Sequence, residues 1–186
     1  MSVPFKYLQL LLVDSSQPEA RGRLVSFVAK SKSMRASNPT VGEFIFLNRT
    51  RYDLTEEVSI LGCTLWLDVP PTSLEAVGRG LNDFRQVKNW SLEKYIAAHT
   101  QDVQWLEQQC TKITTKEPGR RIVILTHYAP TFHGTSAPEH VNSPFASAFA
   151  TEMTESICWG SPAVAWGFEH THFNCDFMLG GVRCCL

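Results

Sequence analysis

Two apolar segments that lead to histidines constrain the fold of this chain more than any other feature. Arg121 to Thr126 is a β-branched run followed at once by His127, and Ala163 to Phe168 leads to the pair His170 and His172. Each run has the length of a buried strand, and open α/β sheets bind ligands at the carboxyl ends of their strands. If the backbone stays extended past the second run, side chains two residues apart share a face. The sequence therefore predicts an α/β fold with these histidines at one edge of a sheet.

The residues around the histidines form two motifs with a family resemblance. They are Thr-His-Tyr-Ala-Pro-Thr at residues 126–131 and Trp-x-Phe-x-His-Thr-His-x-Asn-x-Asp-Phe at residues 166–177. In order and spacing they resemble the C-terminal half of a calcineurin-like metallophosphoesterase, and most closely the small fungal-type members of that superfamily. The resemblance covers about residues 42–183. It divides the chain into an N-terminal strand and helix segment at residues 1–41, weakly matched to the family, and the C-terminal part of the family's domain at residues 42–186.

The resemblance implies both a fold and an activity. The fold is a partial four-layer α-β-β-α sandwich of two sheets, with the N-terminal strands of the first sheet missing. The activity is hydrolysis of a phosphate mono- or diester at a site with two divalent metals, which are Mn, Fe or Zn in such proteins. By resemblance His127 and His170 bind one metal and His172 binds the other. Imidazole is a common ligand for such cations, and the expected partner is a small phosphate ester.

Much of the family's metal site has no counterpart in these 186 residues. The family carries Asp-x-His on its first strand, Gly-Asp on its second and Gly-Asn-His-Glu on its third. By resemblance Asp14 to Gln17 either takes the place of the last motif without its residue types or is unrelated sequence. Three neutral imidazoles without a bridging carboxylate carry no charge to offset two divalent cations. We therefore expect at most one metal ion and an impaired, truncated enzyme. Two alternatives are a non-catalytic remnant that only binds, and a zinc-binding structural domain with Cys175 as a fourth ligand.

Glu169 stands where the family has the glycine that precedes its His-x-His pair. If this position requires a positive φ, a β-carbon costs on the order of 1–2 kcal/mol. Alternatively, Glu169 supplies a carboxylate near the metal. We favour strain or a shifted loop.

Composition excludes several classes of partner. A formal charge of -1 gives no electrostatic reason to bind nucleic acid or a membrane, and an apolar content of 44% can fill a core. The six cysteines include no Cys-x-x-Cys pair, so we expect reduced thiols and a cytoplasmic protein. The apolar run from Leu8 to Val13 is too short for a signal peptide and has no cleavage pattern.

The remaining pattern predicts the elements between the motifs. Ser91 is expected to cap a long amphipathic helix that stops at Pro118. The other expected elements are strands at Phe5–Val13, Phe44–Leu47 and Val58–Trp66, helices after Asp14–Pro18 and at Phe145–Ser156, loops at Leu81–Arg85 and Thr131–Pro144, and a hairpin beginning at Phe177–Arg183.

Three further histidines are interpreted as structural or solvated. His99 lies on the apolar face of the long helix, so we expect a satisfied core histidine. His133 and His140 lie in the long loop and are expected to face solvent. The missing strands predict an uncovered sheet edge and face, and therefore self-association.

Overall fold

The structure, a computed structural model, describes residues 18–80, 91–141, 143 and 145–186. Within these ranges the helices are α1 (Pro18–Ser37), α2 (Leu74–Gly80) and α3 (Leu92–Lys116), and short 3₁₀ helices lie at Pro71–Ser73, Pro138–His140 and Ala146–Ala148. The strands are β1 (Thr50–Asp53), β2 (Val58–Cys63), β3 (Arg121–Thr126), β4 (Ala163–Gly167), β5 (Asp176–Leu179) and β6 (Val182–Cys185). None of the helices in these ranges combines the length and the apolar character that a membrane crossing requires.

The six strands form one mixed sheet in the order β1-β2-β3-β4-β6-β5. The four inner strands β2, β3, β4 and β6 are parallel to one another, whereas β1 and β5 pair antiparallel at the two edges. The register places Cys63 beside Thr126 and Leu125 beside Gly167, so the carboxyl ends of β2, β3 and β4 meet at one edge. The prediction of an α/β fold is confirmed.

Helix α3 packs on one face of the sheet and builds the main core. Ser91 caps it by accepting a hydrogen bond from the Lys94 amide, and the helix ends before Pro118, both as predicted. Its buried residues from Leu106 to Ile113 belong to the same cluster as the inward residues of β3 and β4, which include Ile122 and the fully buried Trp166. The Trp166 indole donates a hydrogen bond to the Thr126 hydroxyl at 3.0 Å, which ties the ends of β3 and β4 together.

The opposite face of the sheet is covered mainly at the β1 and β2 side. Leu47 lies directly over Gly62, where even a β-carbon would come within 2.5 Å of the Leu47 β-carbon. Phe44 is buried and contacts Phe27 of α1 edge to face, with ring centroids 4.8 Å apart. Toward the centre of the sheet, the outward side chains of β3, such as Leu125, are only half-buried.

Three element predictions are wrong. Phe44–Leu47 forms no strand, because Phe44 and Leu47 pack onto the face of the sheet and pairing begins at Thr50. Strand β2 ends at Cys63 rather than Trp66, since Leu65 has a φ of 54° that turns the chain.

The expected helix at Phe145–Ser156 is also absent, and only one 3₁₀ turn forms there. The segment instead runs beside the chain that follows β3. The Ala129 amide donates to the Phe149 carbonyl, the Thr151 amide donates to the Ala129 carbonyl, and Ala129 and Ala150 form a parallel bridge. These long-range backbone bonds use the groups that a helix would need.

The hairpin prediction is confirmed, but its second strand extends further than expected. Gly180 and Gly181, both with positive φ, connect β5 to β6. Strand β6 is an inner strand that pairs with both β4 and β5. The predictions for Phe5–Val13, Asp14–Gln17 and Leu81–Arg85 lie outside the described residues.

Candidate functional site: a histidine pair beside an apolar pocket

His127 and His170 meet at the carboxyl edge of the parallel strands. His127 directly follows β3, and His170 lies three residues after the end of β4. The amides of Glu169 and His170 both donate to the His127 carbonyl, at 3.1 and 2.8 Å, which fixes the two strand ends together. Their rings are hydrogen-bonded, with His170 Nδ1 and His127 Nε2 3.0 Å apart. The predicted convergence of these two residues is therefore found.

The turn after β2 supports the His127 backbone from the other side. The amides of His127 and Tyr128 both donate to the Thr64 carbonyl, at 3.2 and 3.3 Å. Two residues further along, the Trp66 amide donates to the carboxylate of Asp102 on α3, a residue only 1% exposed. Arg49 forms an ion pair with the same carboxylate at 3.0 Å. Burial raises the pKa of Asp102, and the charge of Arg49 and the amide donors partly oppose that shift.

Aromatic rings surround His170. Its ring centroid lies 4.4 Å from that of the buried Tyr128, 4.7 Å from that of His127 and 5.2 Å from that of Phe149. Burial lowers the pKa of His170 to about 4, and the positive charges that His127 and His172 carry when protonated act in the same direction. Its Nε2 is buried and has no hydrogen-bond partner among the described residues. His170 is therefore a neutral imidazole at physiological pH.

His172 does not share a face with His170, so the prediction based on an extended backbone is wrong. The chain turns after Glu169, and the His172 amide donates to the Glu169 carbonyl at 3.0 Å. His172 has a φ of 51° and an exposed side chain. Across the described ranges, no group of three or more His, Cys, Asp or Glu side chains is arranged to hold a metal ion. The expected three-histidine cluster is thus reduced to a pair, and Cys175 does not complete it.

Glu169 is not strained as expected. The residue with positive φ in this turn is His172, three positions later, and Glu169 itself avoids the left-handed region. Its exposed carboxylate instead lies 3.9 Å from Nδ1 of His127. A carboxylate beside the second nitrogen of a histidine favours a proton on that nitrogen and leaves the first nitrogen free to accept. This placement agrees with the alternative in which Glu169 supplies negative charge near the site.

The other histidines and the cysteines behave as predicted. His99 is half-buried and hydrogen-bonded through Nδ1 to the Trp66 carbonyl, while His133 and His140 are exposed in the loop after β3. All six cysteines are free thiols.

The spacing of the histidine pair fits two ligands of one cation. Nitrogens that each bind a zinc-like ion at ~2.0–2.1 Å lie roughly 2.9–3.4 Å apart for ligand angles of about 90–110°. The observed separation of His127 Nε2 and His170 Nδ1 is 3.0 Å. A cation bound to both nitrogens would lie to one side of the line that joins them, and the proton of their hydrogen bond would have to leave.

An apolar pocket of about 440 Å³ opens beside the pair. Its walls come mainly from the loop after β3, and the aromatic side chains among them are Phe132, Phe145 and Phe149. Thr171, the residue after His170, lines the pocket, and its buried hydroxyl has no hydrogen-bond partner in the described part of the chain. Phe149 lines the pocket and also contacts the His170 ring, so the pocket lies directly beside the pair.

The sequence alone did not single out three residues of this site. Asp102 carries a recognisable signal, because a carboxylate interrupts the apolar stripe of α3 between His99 and Leu106. Tyr128 follows His127 in the motif but gives no sign that its ring contacts His170. Phe149 carries no signal, since its position depends on the long-range bridge to the chain after β3.

The fold and the histidine pair define an α/β protein with a two-imidazole cluster at the carboxyl edge of its parallel strands. A protein described as "Uncharacterized protein L509", from Acanthamoeba polyphaga mimivirus, is 26% identical over 165 residues. The match covers 84% of this chain and 57% of the viral protein, so the chain spans little more than half of that relative's length. No model of a known protein family matches the chain, and no solved structure does so either.

Proposed function

We propose that this chain is a calcineurin-like metallophosphoesterase by descent, in which His127 and His170 bind a single divalent cation that holds a phosphate ester. The observation that carries the proposal is the 3.0 Å contact between the two imidazoles, which come from adjacent parallel strands. Both rings belong to the motifs that resemble the family. The cation would be Mn, Fe or Zn, because imidazole suits these ions.

The chemistry that such a cation supplies is charge stabilisation of phosphate oxygens and a lower pKa for bound water. The chain's own residues contribute binding and orientation. Neutral His170 carries one unprotonated nitrogen that can act as a ligand at physiological pH, and the carboxylate of Glu169 lies near the second nitrogen of His127. Hydrogen bonds to the His127 carbonyl and from the His127 amide fix the backbone of the pair.

We further propose that these 186 residues do not by themselves hydrolyse phosphate esters. Such hydrolysis is among the slowest reactions in water, so a working site must lower the barrier by a very large amount. Metallophosphoesterases combine two cations with an acidic histidine, whereas this sequence contains no Asp-x-His, Gly-Asp or Gly-Asn-His-Glu motif. The residues present therefore favour a protein that binds a phosphate ester without hydrolysing it.

We also propose that this chain forms part of the family's four-layer sandwich of two sheets. In a four-layer sandwich a second sheet packs on the first, and the half-buried outward residues of β3, such as Leu125, are consistent with a face that is covered only in part. The six free thiols support a reducing, cytoplasmic compartment.

Metal titration tests the proposal. The untagged protein is titrated with Mn²⁺, Zn²⁺ and Co²⁺ by calorimetry, and Co²⁺ binding is also followed by its absorption spectrum. We expect at most one ion per chain and loss of binding in the double variant His127→Ala, His170→Ala. The variant His133→Ala is the matched control, because it removes an exposed histidine of the neighbouring loop.

An assay with an aryl phosphate and a phosphodiester completes the test. We expect no hydrolysis above a blank that contains the metal alone. Metal binding that persists in the double variant would contradict the assignment of the pair. Turnover in the wild-type chain that disappears in the double variant would show that the missing motifs are not required.

A further inference from the structure

The pocket beside the histidine pair has the character of a site for a neutral ring. It holds about 440 Å³ and exposes aromatic side chains around its opening, among them Phe132, Phe145 and Phe149 at 38%, 41% and 40% exposure. Volumes of ~300–1,000 Å³ and apolar walls with few polar groups are typical of small-ligand sites. Clustered exposed aromatic side chains mark surfaces that bind apolar partners.

The charge distribution excludes an anion from the pocket itself. The lining residues include no Lys, Arg, Asp or Glu, and His140 at the rim is the only titratable side chain among the described residues that line it. A phosphate dianion buried there would meet no opposite charge, which is unfavourable. The phosphate of a ligand must therefore lie outside the pocket, and the neighbouring His127 and His170 are the available ligands for a cation that would hold it.

Two residues connect the pocket to the pair. Phe149 presents its ring to the pocket and lies 5.2 Å from the His170 ring centroid, with the rings tilted by 33°. Thr171 lines the pocket directly after His170, and its buried hydroxyl has no partner within the described ranges. A ligand that extends from the pair into the pocket would pass Thr171, whose hydroxyl can donate to or accept from the ester oxygen or a ring substituent.

We propose that this pocket binds the aryl group of an aryl phosphate ester whose phosphate lies at the His127 and His170 pair. The inference rests on the proposed function for the position of the phosphate. The binding of the aryl group depends only on the pocket. A substrate class follows: phosphate esters of flat, uncharged ring systems of about naphthalene size, in preference to sugar phosphates or nucleotides with a polar leaving group.

Ligand-observed NMR and calorimetry with three probes test the aryl pocket and the phosphate position separately. 2-Naphthol reports on the pocket, inorganic phosphate with Mn²⁺ reports on the pair, and 2-naphthyl phosphate with Mn²⁺ reports on both. Ala146→Phe fills the pocket from its half-buried wall, and Phe145→Ala removes a ring from the rim. Ile157→Ala is the matched control, because it removes an exposed apolar side chain that does not line the pocket.

We expect 2-naphthol to bind the wild-type chain and to bind Ala146→Phe at least about tenfold more weakly, because the added ring occupies the space that the ligand needs. Phe145→Ala should weaken it less, and Ile157→Ala should leave it unchanged. With Mn²⁺, 2-naphthyl phosphate should bind more tightly than 2-naphthol, and the His127→Ala, His170→Ala variant should lose that gain.

The outcomes distinguish the two proposals. Absence of 2-naphthol binding, or equal binding by the wild type and by folded Ala146→Phe and Phe145→Ala, would overturn the pocket assignment. A loss of affinity in either folded pocket variant that is absent in Ile157→Ala supports it. If 2-naphthol follows this pattern but the phosphate adds no affinity, the proposed function is overturned while the aryl site stands. Melting curves of all variants establish that each is folded.

Discussion

The depressed pKa of His170 makes a quantitative prediction about acid stability. Burial lowers this pKa from 6.5 to about 4. The unfolded chain therefore binds a proton to this residue at pH values where the folded chain does not. A group of this kind contributes full stability above its unfolded pKa, and that stability is lost as the pH falls toward the folded pKa. The window for His170 thus extends from pH 6.5 down to about 4.

The size of the effect follows from the two pKa values. Proton linkage with pKa values of 6.5 and about 4 removes about 2 kcal/mol of unfolding free energy at pH 5 and about 3 kcal/mol at pH 4. For a chain of this size 2 kcal/mol corresponds to roughly 4–8 °C in melting temperature. The groups that face His170 are the imidazole of His127, the rings of Tyr128 and Phe149, and the more distant charge of His172.

Urea unfolding at a series of pH values between 4 and 7.5 measures this contribution, with a chelator present so that metal binding does not interfere. The test variant is His170→Asn, which removes the titrating group. The matched control is His172→Asn, since His172 is exposed and asparagine tolerates its φ of 51°. His170→Asn also loses packing, so only the slope of stability against pH is compared. Titrating groups remote from His170 are common to both proteins and cancel, so the difference in slope reports His170 together with its coupling to His127 and His172.

Between pH 7.5 and pH 5, we expect the unfolding free energy of His170→Asn to fall by about 2 kcal/mol less than that of the wild type. His172→Asn should keep most of the wild-type slope. Parallel pH profiles for the wild type and His170→Asn would refute the reasoning. In that case the His170 ring would be charged or freely hydrated in the folded chain, and the packing described around it would not hold in solution.

Three further predictions concern the framework around the site. Asp102→Ala should destabilise the chain by about 2–4 kcal/mol, because it leaves Arg49 without its buried carboxylate; a loss of less than 1 kcal/mol in denaturant unfolding would contradict this role. Gly62→Ala should cost about 1–3 kcal/mol, since the new β-carbon collides with the Leu47 β-carbon, and the cost should persist in a Leu47→Ala background, which keeps that β-carbon, and fall in a Leu47→Gly background. Met178→Lys on the edge strand β5, where this side chain is 64% exposed, should reduce self-association in sedimentation experiments; unchanged association would show that this edge is not involved.

The parts of the fold that depend on local patterns could be predicted from the sequence. The β-branched run before His127 becomes β3, and the Ser91 cap starts the long helix at the predicted residue. The contact between His127 and His170 was also predictable, because both follow strands whose carboxyl ends meet. The strand and the helix cap follow from local periodicity and residue type, whereas the histidine contact follows from the rule that parallel strands end at one edge of a sheet.

The parts that depend on distant contacts could not be predicted. The turn that separates His170 from His172 contains no Gly, Pro, Asn or Asp at residues 169–172, so no local signal marks it. The segment at Phe145–Ser156 has adequate helix formers, but its backbone bonds go to Ala129 and Pro130. Tertiary hydrogen bonds override local propensity there, and the aromatic pocket is a consequence of that override.

The position of β6 in the sheet has a consequence for how the fold is completed. Strand β5 precedes β6 in sequence, yet β6 lies between β4 and β5 and joins them. Until residues 182–185 are in place, β5 has no neighbour in the sheet and the outer side of β4 is open. A variant that stops at Gly181, and so lacks residues 182–186, should therefore lose two strands rather than one. Strand β6 pairs with β4 on one side and with β5 on the other. We therefore expect β4, β5 and β6 to form and to unfold together.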